Sequence, residues 1–186
     1  MRNTDAITRL GDNLLLFRQS IGWSAAELGD RVGVTRQTIN NIENKKVPLS
    51  KTLYLAIRCV FAEEINSNPR KTQMLRVLLE CLVDHPEKLE EEDRKKIIEK
   101  TEMITPSIMT KTATSEKNTT EWMEKVSNEW GDMIKNNLFG IIGATASLAV
   151  GIATIIKALE TKQNEDMYSW VSAITKVDSH KRSKIK

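Results

Sequence analysis

Ile21-Gly-Trp-Ser-Ala-Ala-Glu-Leu-Gly-Asp-Arg-Val-Gly-Val-Thr-Arg-Gln-Thr-Ile-Asn-Asn-Ile-Glu-Asn44 is the stretch whose pattern decides the fold. Ser24 and Glu27 have the spacing of a capping box, in which the hydroxyl accepts from the third amide of the turn and the carboxylate reaches back. They open a short helix that ends at Gly33, where a residue without Cβ permits positive φ. Leu28 and Val32 supply that helix's inner face, and Gly29 is small where a second helix crosses closely. Thr35 can cap the second helix, which runs to about Glu43 and closes on Asn44, a residue that tolerates left-handed geometry. Val34, Ile39 and Ile42 anchor this helix to a core. At about 100° of rotation per residue, that turns Arg36, Gln37, Asn40 and Asn41 partly or wholly outward.

Working outward, the chain is helical on both sides. Leu10, Leu14, Phe17 and Ile21 recur at helical steps until Gly22 stops the pattern. Pro48 and Ser50 announce a further helix carrying Leu53, Ala56, Ile57, Val60 and Phe61. Asn66-Ser-Asn-Pro69 marks a domain boundary. Beyond it, Met74, Leu75, Leu78, Leu79 and Leu82 make an amphipathic helix stopping before Pro86, and a charged helix follows over 87–104. Residues 105–120, rich in Ser and Thr and without periodicity, read as a linker. Trp122, Val126, Trp130, Met133 and Ile134 form another stripe, followed by the uncharged run Leu138–Ile156, a short piece with Met167, Trp170, Val171 and Ile174, and a basic tail. No strand pattern emerges. The expectation is an all-α chain: a helix-turn-helix domain over 1–66, a dimerisation or connector region over 67–104, the linker, and a helical C-terminal region over 121–186.

The motif resembles the lambda-repressor-like, or xenobiotic-response-element, family of helix-turn-helix regulators over Asn13 to Ile65. That family packs five helices, and the resemblance implies five before Asn66 here. The resemblance makes Thr35–Glu43 the recognition helix and implies that Arg18 and Glu43 pair, tying the first helix to it. It also carries base contact onto Arg36, Gln37 and Asn41, and backbone contact onto Asn44 and Lys46. The side-chain chemistry agrees: Arg can fork onto guanine, and Gln and Asn onto adenine, with Asn40 beside them. Lys45, Lys46 and Asn44 lie where phosphates position a domain without reading sequence, and the hydroxyls of Ser24, Thr35 and Thr38 at the helix starts join that backbone set. The chain departs from the family pattern at Ala25, where Gln is common, and at Lys45, where Gly usually follows Asn44. The Gly that normally ends the fifth helix is missing from Cys59–Ala62.

Composition excludes more than it proves. The chain has 186 residues and a net charge of only +3, with nine Lys/Arg against seven Asp/Glu over residues 1–65, so any nucleic-acid binding rests on local placement of charge. Cys59 and Cys81 sit on apolar stretches and read as small buried hydrophobes. His85 and His180 stand alone, so no metal site is expected. Glu90-Glu-Glu-Asp93 is a charged helix face. No nucleophile–base pattern or phosphate loop is present, so neither an enzyme nor a cofactor is expected, and no small-molecule ligand is identifiable. Met1–Arg18 lacks the apolar core of a signal peptide, which keeps the N-terminal domain cytoplasmic.

The run Leu138–Ile156 supports two readings. Its nineteen uncharged residues span about 28 Å as a helix, close to the hydrocarbon thickness of a bilayer, and Gly140, Gly143, Ala144, Ser147 and Gly151 suit close helix contact. A single span would place Lys176, Lys181, Arg182, Lys184 and Lys186 outside, against the positive-inside tendency, which favours a helix buried in a bundle. The functional expectation is a transcriptional regulator, a dimeric repressor binding a double-stranded operator, with 138–156 as membrane tether or oligomerisation core. The alternative is a membrane-acting effector, or a protein-interaction protein, that uses the helix-turn-helix for autoregulation or docking.

Overall fold

The computed structural model describes residues 3–114 and, beyond them, 122–123, 125–126 and 128–130. Every regular element among the described residues is helical: α1 (Asn3–Asp12), α2 (Leu14–Ser20), α3 (Ala25–Val32), α4 (Arg36–Glu43), α5 (Lys51–Ser67), α6 (Gln73–Leu79) and α7 (Glu91–Thr114). A π-helical turn, Glu80–Asp84, prolongs α6, and a single 3₁₀ turn, Pro86–Lys88, leads into α7.

The apolar recurrence from Leu10 to Ile21 is split between two helices. The Asn13 side-chain amide donates to the Arg9 carbonyl at 2.9 Å, taking the acceptor that a continuous helix would offer to the Asn13 backbone N–H. The chain bends there and restarts as α2, which ends where Gly22 takes φ 77°. Five helices thus begin before Asn66, and the fifth, α5, runs through it to Ser67 without a glycine to stop it.

Leu10, Leu14, Phe17, Ile21, Leu28, Ile39, Ile42, Ile57 and Phe61 form the centre of a core that continues without a break into Met74, Leu75, Leu78, Cys81, Val83, Ile97 and Ile108. The turn at Asn66–Pro69 lies inside this body. Thr72 Oγ1 donates to the Asn68 carbonyl at 2.8 Å there, and on the far side Arg9 reaches the Val83 carbonyl through Nη2 at 2.8 Å. The apolar face of α6 is thus taken up within this core.

Residues 105–114, expected as the start of a linker, are instead the last turns of α7, which packs against α2. Ile97, Thr101, Thr105 and Ile108 are all buried along one face of α7 at helical spacing. Hydroxyls assist: Thr101 Oγ1 donates to the Ile97 carbonyl at 2.7 Å and Thr110 Oγ1 to the Pro106 carbonyl at 2.9 Å. Pro106 sits inside the helix and offers no N–H to the Glu102 carbonyl, which accepts from the Thr105 hydroxyl instead. Trp130 is buried against the same helix, its indole N–H donating to Thr101 Oγ1 at 3.1 Å.

The cysteines divide. Cys81 is buried, and burial pushes its thiol up to about 12, so it behaves as a core hydrophobe. Cys59 is exposed, contrary to expectation, because the buried face of α5 is defined by Tyr54, Ile57, Arg58 and Phe61 and position 59 falls opposite. The run Leu138–Ile156 lies outside the described residues. Among the described helices none is long and apolar enough to cross a membrane.

Candidate nucleic-acid interface

The interface is built on α3, α4 and the two turns that hold them. Both halves of the capping box are made: Ser24 Oγ accepts from the Glu27 N–H at 3.1 Å, and the Glu27 carboxylate accepts from the Ser24 N–H at 2.6 Å. Gly33 takes the left-handed conformation at φ 75°, ψ 31°, and the chain turns through a hydrogen bond from the Val34 N–H to the Gly29 carbonyl at 2.9 Å.

Gly29 marks the closest approach of the two helices. A Cβ there would stand 2.6 Å from the Val34 carbonyl oxygen and 3.3 Å from the Arg36 nitrogen. Both are backbone atoms, so no rotamer change relieves the clash. Gly29→Ala is expected to destabilise the protein by about 1–3 kcal/mol in urea denaturation, the usual cost of overpacking, although alanine is the better helix former.

Thr35 opens α4, its Oγ1 accepting from the Thr38 N–H at 3.2 Å and lying 3.0 Å from Thr38 Oγ1. Ile39 and Ile42 are buried, while Arg36 and Gln37 are exposed and Asn40 and Asn41 half-buried. The Gln37 amide donates to Asn41 Oδ1 at 2.9 Å across one turn.

The C-terminal end of α4 differs from expectation. Asn44 stays right-handed at φ −85°, ψ 10°, and the left-handed residue is Lys45 at φ 57°. The Lys46 N–H reaches the Asn41 carbonyl at 2.8 Å and the Lys45 N–H the Ile42 carbonyl at 2.9 Å, which is the Schellman pattern with Lys45 in the place glycine usually takes. Asn44 instead uses its side-chain amide on the Asn40 carbonyl at 2.7 Å. Lys45→Gly is therefore expected to raise stability by about 0.5–1 kcal/mol through relief of the Cβ strain, read as a higher denaturation midpoint. The same change removes a cation from the surface.

Arg18 and Glu43 meet as the resemblance implied. Arg18 Nε donates to Oε1 at 2.6 Å and Nη2 to Oε2 at 2.9 Å, with both side chains under a tenth exposed. The third guanidinium nitrogen, Nη1, donates to the Trp23 carbonyl at 2.6 Å. One side chain of α2 thus fixes both the entry to α3 and the far end of α4.

Exposed Arg36 stands at one end of α4, and exposed Lys45 and Lys46 follow the other, giving the outer face of this helix a local positive charge that bulk composition hides. Two features went unread in the sequence. Asp12, at the end of α1, lies 3.7 Å from the Lys45 ammonium in an exposed pair. Arg31 lays its guanidinium 4.1 Å over the Trp23 ring, which in turn packs on Phe61 with centroids 6.0 Å apart. Neither pairing has a local sequence signature. Among the described residues no group of His, Cys, Asp and Glu side chains could hold a metal ion.

A comparison with protein families matches residues 14–65 to a helix-turn-helix model, under a third of the chain. Searches of curated proteins and of solved structures gave no match. The matched segment begins with α2 and ends within α5, and so takes in the α3–turn–α4 unit and the Arg18–Glu43 pair that braces it. Residues 14–65 are a helix-turn-helix segment, in keeping with their resemblance to the lambda-repressor-like DNA-binding modules, and the described helices continue on both sides of it.

Proposed function

We propose that the chain is a sequence-specific regulator of transcription, a repressor that binds a two-fold operator as a homodimer. The observation that carries this is α4 itself: Ile39 and Ile42 are buried, Glu43 is clamped by Arg18, and Arg36 and Gln37 are left exposed at the helix start. A recognition helix enters the major groove with those first residues foremost. Arg36, Gln37, Asn40 and Asn41 read base edges in this proposal, and Ser24, Thr35, Thr38, Asn44, Lys45 and Lys46 contact the sugar-phosphate backbone. Dimerisation is argued from information: one recognition helix reads only a few base pairs, and a second copy on a symmetric site supplies the rest. The domain does its work by binding, and no catalytic residue is assigned.

The test is selection from random duplex DNA with the full chain. Arg36→Ala is expected to weaken specific binding by about 1–3 kcal/mol and relax one base position. Lys46→Ala should weaken binding almost uniformly across sequences and reduce the salt slope by about one. An Arg36→Ala profile identical to that of the wild type would overturn the assignment.

Attachment of this regulator to the cytoplasmic membrane through Leu138–Ile156 is the further part of the proposal, supported by nineteen residues without a charge. Alkaline carbonate extraction checks it. The full chain should stay with the membranes and a version lacking 138–156 should not; full-length protein released by carbonate would make the run a packed helix.

A further inference from the structure

The hydrogen bond between Gln37 and Asn41 restricts what Gln37 can read. A carboxamide offers an acceptor on one side and donors on the other, and an unrestrained Gln can turn over to present either. Here the Gln37 nitrogen is turned to Asn41, with Nε2 donating to Oδ1 at 2.9 Å. One of its two protons is committed, and the oxygen is left on the opposite side of the group together with the remaining proton.

Asn41 is well placed to hold this arrangement. It is half-buried, it lies one turn after Gln37, and its own carbonyl oxygen accepts from the Lys46 N–H at 2.8 Å in the cap of α4. Its backbone is therefore anchored at the point where its side chain acts.

We infer that Asn41, in place of the direct base contact given to it above, acts through Gln37: it is a positioning residue that fixes the Gln37 carboxamide for adenine and against guanine. This rests on the proposal that α4 reads the major groove. Adenine presents an acceptor at N7 and a donor at N6, which match one amide proton and one amide oxygen. Guanine presents acceptors at both N7 and O6, so the same fixed group sets its oxygen against O6. Without Asn41 the group turns over freely, offers its donors to guanine, and loses the distinction.

Random-duplex selection with the full chain tests this in four versions: wild type, Gln37→Ala, Asn41→Ala and Asn41→Asp. Gln37→Ala identifies the base pair that Gln37 reads by losing the preference there. Asn41→Ala is expected to lower the adenine-over-guanine ratio at that same pair by about fivefold or more, the lower end of what a bidentate amide contact supplies. Asn41→Asp keeps an acceptor and no donor, so it should retain the adenine preference while binding more weakly overall. If Asn41→Ala leaves that ratio unchanged, or alters a different base pair, Asn41 reads its own base and the inference fails. Loss of the adenine preference in Asn41→Asp would also overturn it, since the acceptor would then not be what matters. A wild-type chain that enriches no sequence at all overturns the regulator proposal itself, an outcome distinct from either of these.

Discussion

Glu43→Ala is expected to lower the unfolding free energy by about 3–5 kcal/mol, because it leaves the Arg18 guanidinium buried without its carboxylate. The pair is bidentate, at 2.6 and 2.9 Å, and neither side chain is more than 7% exposed. Water therefore cannot replace the lost anion without opening the contact between α2 and α4. Arg18→Met combined with Glu43→Leu should be far less damaging than either half alone, since it removes both charges and keeps the volume. Urea denaturation of the two single variants and the double gives the coupling directly. Sequence-specific DNA binding should separate from stability in that set. The double variant folds but lacks the link that orients α4, so its affinity should stay low. Single variants as stable as the wild type would show that the pair carries no such energy.

The parts of the fold that could be read from the sequence are those with a local cause. Ser24 and Glu27 cap α3, Gly33 turns left-handed, Thr35 caps α4, and Ile39 and Ile42 face inward, each because of residues within a turn or two. The Arg18–Glu43 contact spans 25 residues and came from the family resemblance, not from spacing.

What escaped has a common character. The break at Asn13 comes from a side chain outcompeting a backbone donor for one carbonyl, which apolar periodicity does not register. Asn44 was preferred over Lys45 as the left-handed residue on propensity alone, yet the hydrogen bonds that close α4 place the reversal one residue later. Residues 105–114 looked like a linker because Ser and Thr are polar in isolation. On α7 the Thr105 and Thr110 hydroxyls bond to carbonyls of the preceding turn, Ile108 is buried, and the helix packs against α2 from far upstream. Cys59 and Cys81 have similar neighbours in sequence, and only the packing of α5 tells the exposed one from the buried one.

Arg58→Ala should cost about 3–5 kcal/mol near neutral pH, and distinctly less in acid. Arg58 lies on the buried face of α5, and its Nη2 donates to Asp84 Oδ2 at 2.8 Å, joining the helix-turn-helix domain to the turn after α6. Burial already raises the Asp84 carboxyl above its ordinary 3.8, with Arg58 the largest opposing influence, Glu80 adding to the rise and His85 opposing it. A carboxyl that holds its proton more tightly when folded stabilises the protein most below its unfolded value. That contribution is lost as pH rises through the folded value. Removing Arg58 raises the folded value further, so the loss becomes larger and extends to higher pH. The gap between wild type and Arg58→Ala in denaturation should thus widen from acid to neutral pH. Adding Asp84→Asn to Arg58→Ala removes the titrating group and should flatten the trend, while the cavity cost remains. A gap that stays constant across that range would mean that the variant loses packing around the arginine stem, and that the ion pair contributes nothing to holding α5 against the turn.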